Sequence, residues 1–169
     1  MPVPDEPPEL KKSEPKHTEP GRSLGLGESP AVKLRYKGIM VEDMEPWDEF
    51  LKWESMPLKM VWYDVHVGEP MAVPDGSPDF MYTFANAVSR KRIDAVGRTA
   101  DEIWVIEIKP YASFLALGQA LTYTDLFVKD FGSSPPARPV IVATATDPDI
   151  VYTADRLGVR IIATQTIRT

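Results

Sequence analysis

The stretch RIDAVGRTADEIWVIEIKP, residues 92–110, constrains the fold of this chain more than any other. It is apolar on both sides of a polar centre at residues 99–102, a pattern that predicts two β-strands joined by a tight turn. Yet Asp94, Glu107 and Lys109 stand inside the strands. Buried charges are costly unless they are paired, so these three side chains are expected to meet one another or a ligand.

Side-chain alternation predicts which of the charges share a face. On the second strand, Glu107 and Lys109 point to one side together with Ile103 and Val105, and the opposite face carries Trp104, Ile106 and Ile108. On the first strand, strict alternation puts Asp94 on the same face as Arg92, Val96 and Arg98.

The turn sets the register between the two strands. With the turn centred between residues 100 and 101, Val96 lies opposite Val105, and Asp94 lies directly opposite Glu107. Cross-strand neighbours of this kind have Cβ atoms about 4.5–5.5 Å apart. The register therefore predicts two carboxylates in close contact.

Two partly buried carboxylates repel each other unless a cation offsets their charge. A divalent metal ion suits oxygen ligands, and Lys109 would then position a water molecule or stabilise developing negative charge. The alternative is that Glu107 and Lys109 simply pair on a solvated strand face. The same register also places Arg92 opposite Lys109, two like charges, unless a bulge or a longer loop separates them.

The rest of the chain predicts an α/β fold, a mixed central β-sheet flanked by helices. Strands are expected at 58–68, 140–145 and 159–164. Helices are expected at 45–55, from Pro110 to about residue 131 and at 147–158, with a loop at 69–80 and an ambiguous segment, read as a short helix, at 80–91.

The N-terminal segment has a different composition. Residues 1–30 hold seven of the 17 prolines and six acidic residues. Without a hydrophobic period, such a segment does not bury enough apolar area to offset its ordering entropy. We predict a Pro-rich disordered or extended arm at 1–31, able to dock on a partner, and a folded domain at 32–169.

Composition narrows the function classes. The chain has no cysteine, which excludes disulfides, thiolate nucleophiles and cysteine-based zinc sites. Its two histidines, His17 and His66, are far apart in sequence, and alternation points His66 away from the core. A net charge of −6 argues against a DNA-binding module that does not cleave. No apolar run predicts a membrane span, and the first residues predict no signal peptide.

The motif formed by Ile93-Asp94, then Glu107-Ile108-Lys109 and a following helix resembles the PD-(D/E)XK nuclease superfamily. The resemblance covers about residues 45–145 and implies a restriction-endonuclease-like core of helix, three-stranded meander, helix and strand. It implies that Asp94, Glu107 and the backbone carbonyl of Ile108 hold Mg²⁺ or Mn²⁺, and that Lys109 is catalytic. Ile93 replaces the family's proline, and a literal Pro-Asp at 78–79 is set aside because it lies in the loop.

Further residues are implied by the same resemblance. Gln119 and Tyr123, four residues apart on one helical face, resemble the Q-x-x-x-Y element of exonuclease-like branches, where the pair orients the site and contacts nucleic acid. The alternative is a surface glutamine and a core tyrosine. Glu49 or Glu54 would be an acid contributed by the first helix. Lys91, Arg92 and Arg98 either contact phosphate or only flank the strand.

The expected function is Mg²⁺-dependent hydrolysis of DNA phosphodiester bonds. The pattern also looks like genes of tailed bacteriophages, which implies a role in genome processing or head completion. The alternative is a non-catalytic virion or assembly protein on the same fold, with phage structural proteins bound through the arm. The expected location is the host cytoplasm or the virion, with no secretion and no membrane partner.

Overall fold

A computed structural model describes residues 22–165 of the chain, so most of the proline-rich arm lies outside the described residues. No helix in that range is long and apolar enough to cross a membrane. A 3-10 turn, Val41–Asp43, leads into the first helix. The elements in chain order are α1 (Met44–Leu51), β1 (Met60–Val67), α2 (Asp79–Ser89), β2 (Lys91–Arg98), β3 (Ile103–Ala112), α3 (Phe114–Phe131), β4 (Ala137–Thr146), α4 (Pro148–Arg156) and β5 (Arg160–Ala163).

The strands form one five-stranded sheet in the order β1-β2-β3-β4-β5. The first three strands make an antiparallel meander, and β4 and β5 run parallel to β3 and to each other. The predicted mixed sheet flanked by helices is confirmed, and so is the order of helix, meander, helix and strand. The ambiguous segment at 80–91 is the helix α2.

The junction between β3 and α3 differs from the prediction. β3 continues past Pro110 to Ala112 because it pairs with β4 as far as Thr146. The helix α3 therefore begins only at Phe114, where Ser113 caps it by accepting a hydrogen bond from the amide of Ala116.

Each face of the sheet is covered by helices. On one face, Trp47 and Phe50 of α1 pack on Trp104, Ile106 and other strand residues. On the other face, α3 and α4 cover the remaining strand residues through two further apolar clusters. The β3 alternation is confirmed, since the predicted apolar faces of the strand fall in different clusters.

Alternation fails at one level of the meander. Ile93 and Val96, three residues apart on β2, both pack in the α3-side cluster, which strict alternation forbids. The predicted single face for Arg92, Asp94 and Val96 is therefore wrong. At the same level on β1, Asp64 has a φ of 56°, which places it in the left-handed region. The β1–β2 register passes from Tyr63↔Ala95 to Val65↔Ile93 without pairing Asp64 and Asp94.

Residues 22–31, which the sequence assigns to the arm, contact α3 and β1 through their backbone. The amide of Arg22 donates to the carbonyl of Asp130 at 3.0 Å, and Glu28 forms an antiparallel bridge with Val61. The segment thus covers part of the outer edge of β1.

Candidate active site

Asp94 lies where the pairing between β2 and β3 ends. Val96 lies opposite Val105 as predicted, but the β2–β3 ladder ends at Ala95↔Ile106. Asp94, which the sequence predicts to lie opposite Glu107, is therefore not paired with β3 through its backbone. Its side chain makes the contact instead, since Asp94 Oδ2 accepts a hydrogen bond from the amide of Ile108 at 2.9 Å. The carboxylate is thereby fixed between the two strands.

Lys109 brings the charges together. Its Nζ lies 3.1 Å from Glu107 Oε1, 3.3 Å from Asp43 Oδ2 and 3.6 Å from Asp94 Oδ2. The three acidic side chains are 3%, 6% and 15% exposed respectively, and that of Lys109 is 29% exposed. The site is therefore a buried acidic cluster with one ammonium at its solvent side.

Arg92 does not face Lys109. Its Nε donates to Asp64 Oδ1 at 2.6 Å, and its Cα partner in the sheet is His66 on β1. The juxtaposition of like charges is avoided because the β2–β3 ladder stops before reaching Arg92 and because Asp64 draws the guanidinium toward β1.

Asp43 is the site residue that the sequence did not reveal. It precedes α1, where an acid ordinarily caps the helix, but its side chain makes no capping hydrogen bond and is buried against Lys109. The first-helix acids predicted instead do not reach the site, since Glu49 pairs with Lys52 and Glu54 is exposed. Only the long-range packing of the 3-10 turn distinguishes Asp43 from an ordinary cap.

Burial and like charge perturb the acids. Burial, together with the charge of Asp94, raises the pKa of Glu107 to about 7. The pKa of Asp94 is also raised, chiefly by burial, against the opposing effect of Lys109. Burial would lower the pKa of Lys109, but the charges of Asp94 and Glu107 raise it above its usual value. Lys109 is thus held charged, and ionisation of Asp94 or Glu107 is costly in the folded protein.

The donor set fits a hard divalent cation. Glu107 Oε2 is buried and has no hydrogen-bond partner among the described residues. The Ile108 amide points toward Asp94, and in a strand the carbonyl of the same residue points the same way, beyond the end of the β2–β3 ladder.

Within residues 22–165, no three histidine, cysteine, aspartate or glutamate side chains are placed to hold a metal ion among themselves. The three carboxylates converge on the ammonium of Lys109 instead. Mg²⁺ is commonly held by only one or two carboxylates, with water and substrate phosphate completing its shell. The carboxylates of Asp94 and Glu107 and the carbonyl of Ile108, all oxygen donors, are compatible with that coordination.

Gln119 and Tyr123 are in contact, as their spacing predicts. Gln119 Nε2 lies 3.4 Å from the Tyr123 hydroxyl, and Gln119 Oε1 is buried without a partner among the described residues. Neither side chain hydrogen-bonds Lys109, whose polar partners in the described residues are the three acids. Tyr123 also packs against the apolar cluster under α3.

The remaining candidates are spread along the meander. Asp79 is exposed at the start of α2, away from any strand pair. Arg98 lies at the far end of β2, opposite Met60 and Ile103. Lys91 is exposed at the near end of β2, next to Arg92.

No family model and no curated protein matches this chain. Among solved structures, the chain is similar to a repair endonuclease from Pyrococcus abyssi, with a TM-score of 0.38 and 16% identity over 60% of this chain and 38% of that one. It is also similar to the protein of unknown function AF1548, with a TM-score of 0.34 and 18% identity over 60% and 47% of the two chains. At these values the likeness assigns neither a family nor an activity.

Proposed function

We propose that this protein is a metal-dependent nuclease that hydrolyses DNA phosphodiester bonds with a PD-(D/E)XK-type site. One observation carries the proposal: Asp94, Glu107 and Lys109 meet in a partly open site, and Glu107 Oε2 is left without a partner in the described residues. A solvated Glu107–Lys109 pair does not account for that geometry, because the Glu107 side chain is only 3% exposed.

The acids and one carbonyl would hold the metal. Asp94, Glu107 and the backbone carbonyl of Ile108 supply oxygen ligands for Mg²⁺ or Mn²⁺. When bound, such an ion offsets the carboxylate repulsion, polarises a phosphoryl oxygen and lowers the pKa of water. The hydrogen bond from the Ile108 amide to Asp94 at 2.9 Å fixes the orientation of the Asp94 carboxylate before substrate binds.

Lys109 supplies positive charge where negative charge develops. Its ammonium has three N–H donors and is partly exposed, so it can donate to an attacking water or to a phosphate oxygen. Hydrolysis forms a bond from the water oxygen to phosphorus and breaks the ester P–O bond, with a proton passing to the leaving oxygen. Asp43 acts as a positioning residue, because its contact with Nζ at 3.3 Å holds the ammonium over the site.

Gln119 and Tyr123 would support the substrate strand from α3. Their mutual contact at 3.4 Å leaves the Gln119 Oε1 acceptor unused among the described residues. A nucleotide amino group or a bound water would satisfy that acceptor.

The test is a cleavage panel of linear duplex, single-stranded and branched DNA, with Mg²⁺ and with EDTA. Lys109→Met should lower Mg²⁺-dependent cleavage by about 100-fold or more, on the scale of losing one charge-stabilising donor. Lys59→Met is the matched control, since Lys59 is exposed and precedes β1. Equal cleavage by the Lys109 variant and the wild type would overturn the assignment.

Metal binding distinguishes the nuclease from the non-catalytic alternative, a phage assembly protein built on this fold. Titration calorimetry with Mn²⁺ should show one saturable site that Asp94→Asn abolishes. A protein that binds no Mn²⁺ and cleaves none of the substrates would favour the scaffold role.

A further inference from the structure

A second charged cluster lies beside the acidic site. The Asp64 carboxylate, 6% exposed, contacts Arg92 Nε at 2.6 Å, Lys37 Nζ at 3.3 Å and His66 Nε2 at 3.3 Å. Burial would raise the pKa of Asp64, but hydrogen bonds from Arg92 and Lys37 and the nearby charges of Arg92 and His66 hold it below its usual value. One buried negative charge therefore faces a lysine, an arginine and a histidine.

The cations keep unused donors at the surface. The side chain of Lys37 is 76% exposed and that of Arg92 is 53% exposed. A guanidinium has five N–H donors and an ammonium has three, and each uses only part of this capacity on Asp64. The cluster is thus net positive, with donors directed at solvent, in a chain whose net charge is −6.

The backbone is built around this arrangement. Asp64 has a φ of 56°, a conformation that costs a non-glycine residue energy and persists only where the surroundings impose it. Gly38, with a φ of 77°, lets the neighbouring loop approach, because a Cβ there would lie 2.8 Å from the Asp64 Cβ. Lys37 is delivered to the carboxylate by that close approach.

Strand register places the cluster next to the acidic site. Asp64 lies level with Asp94 at the unpaired step between Tyr63↔Ala95 and Val65↔Ile93, one strand away. Adjacent strands are about 4.8 Å apart. Lys37, Asp64 and His66 also line a surface groove of about 630 Å³ along β1.

We propose that Lys37, Arg92 and His66, held by Asp64, bind a backbone phosphate of the nucleic-acid strand next to the scissile one. This inference rests on the proposed nuclease function and assigns the direction in which the strand leaves the site, across β2 toward β1. In this role Asp64 tunes affinity, since it occupies donors that the phosphate competes for.

The experiment measures binding of a fluorescein-labelled oligonucleotide, single-stranded and duplex, by anisotropy in EDTA at several salt concentrations. Lys37→Ala and Arg92→Ala should each weaken binding about tenfold. Each should also reduce the slope of log affinity against log salt by about 0.7 for the single strand and 0.9 for the duplex. Lys59→Ala, which removes an exposed cation just before β1, should leave both quantities unchanged.

Asp64→Asn separates binding from structural support. Asparagine tolerates the left-handed conformation, and its neutral side chain releases the cations, so binding should tighten by about threefold or more. Weaker or unchanged binding by this variant would overturn the inference, as would normal binding by Lys37→Ala. If circular dichroism shows that Arg92→Ala does not fold, the binding measurements on Lys37→Ala and Asp64→Asn still test the inference.

The two proposals fail in different ways. Binding is measured without metal and without cleavage. A wild type that binds as described but does not cut DNA with Mg²⁺ would contradict the nuclease function and leave the phosphate site standing. A wild type that cuts DNA with Mg²⁺, together with variants that bind normally, would support the nuclease function and contradict the phosphate site.

Discussion

Replacing Glu107 by glutamine should stabilise the metal-free protein, and the gain should grow with pH. Glu107 has a pKa near 7 in the folded protein against an ordinary value of 4.5, because it is buried beside Asp94. A folded-state pKa above the unfolded one means that the folded protein holds the proton more tightly. Stability is then greatest below about pH 4.5 and is lost as the pH rises through 7.

The magnitude follows from these two pKa values. Relative to acid pH, the raised pKa should lower the free energy of unfolding by about 1 kcal/mol at pH 5, where only the unfolded chain ionises, and by about 3 kcal/mol at pH 8. Glutamine carries no such penalty at either pH. The free energy of unfolding of Glu107→Gln relative to wild type should therefore rise by about 2 kcal/mol between pH 5 and pH 8.

The assay is urea denaturation in EDTA at pH 5 and pH 8, followed by tryptophan fluorescence. Glu49→Gln is the matched control, because Glu49 is a surface carboxylate paired with Lys52 and should change stability by less than about 0.5 kcal/mol. The reasoning would be refuted if the difference between Glu107→Gln and wild type were the same at both pH values.

Three further predictions concern the frame of the site. Trp47→Ala should cost about 3–5 kcal/mol of unfolding free energy in urea denaturation, because the fully buried indole packs on Phe50; a loss below 1 kcal/mol would contradict this packing. Gly38→Ala should lower the melting temperature more than Gly76→Ala, since both glycines have a positive φ but only a Cβ at position 38 would clash with Asp64. Equal losses would contradict the close approach of Gly38 to Asp64. Tyr123→Phe should lower kcat/KM by about tenfold, with Mn²⁺ affinity in calorimetry unchanged; unchanged kinetics would assign Tyr123 to packing alone.

The fold was predictable where local patterns dominate. The charged hairpin, its Val96–Val105 register and the order of elements follow from strand alternation, turn residues and helix spacing. The same patterns predict that Asp94, Glu107 and Lys109 lie close together, because all three stand on adjacent strands.

What failed depends on contacts far apart in sequence. Asp43 looks like a helix cap, and only tertiary packing brings it to Lys109, 66 residues later. The break in alternation at Asp94 lies level with the left-handed backbone of Asp64 on the neighbouring strand. Asparagine and glycine are the usual markers of such a conformation, so an aspartate inside an apolar strand gives no warning of it.

His66 shows the same limit. Alternation alone places it outside the core without a role, but the structure puts its Nε2 3.3 Å from Asp64. The cluster gathers residues from the 37–38 loop, β1 and β2, and no short motif could have joined them.

The central claim is tested most directly by single-turnover cleavage of a labelled DNA in Mg²⁺ by the wild type and Glu107→Gln side by side. We expect Mg²⁺-dependent cleavage by the wild type and a loss of about 1,000-fold or more in the variant, because the variant loses one of the two carboxylates proposed to hold the metal. The same variant should be the more stable protein at pH 8 in EDTA. Cleavage by Glu107→Gln at the wild-type rate would contradict a metal-dependent site at Asp94, Glu107 and Lys109.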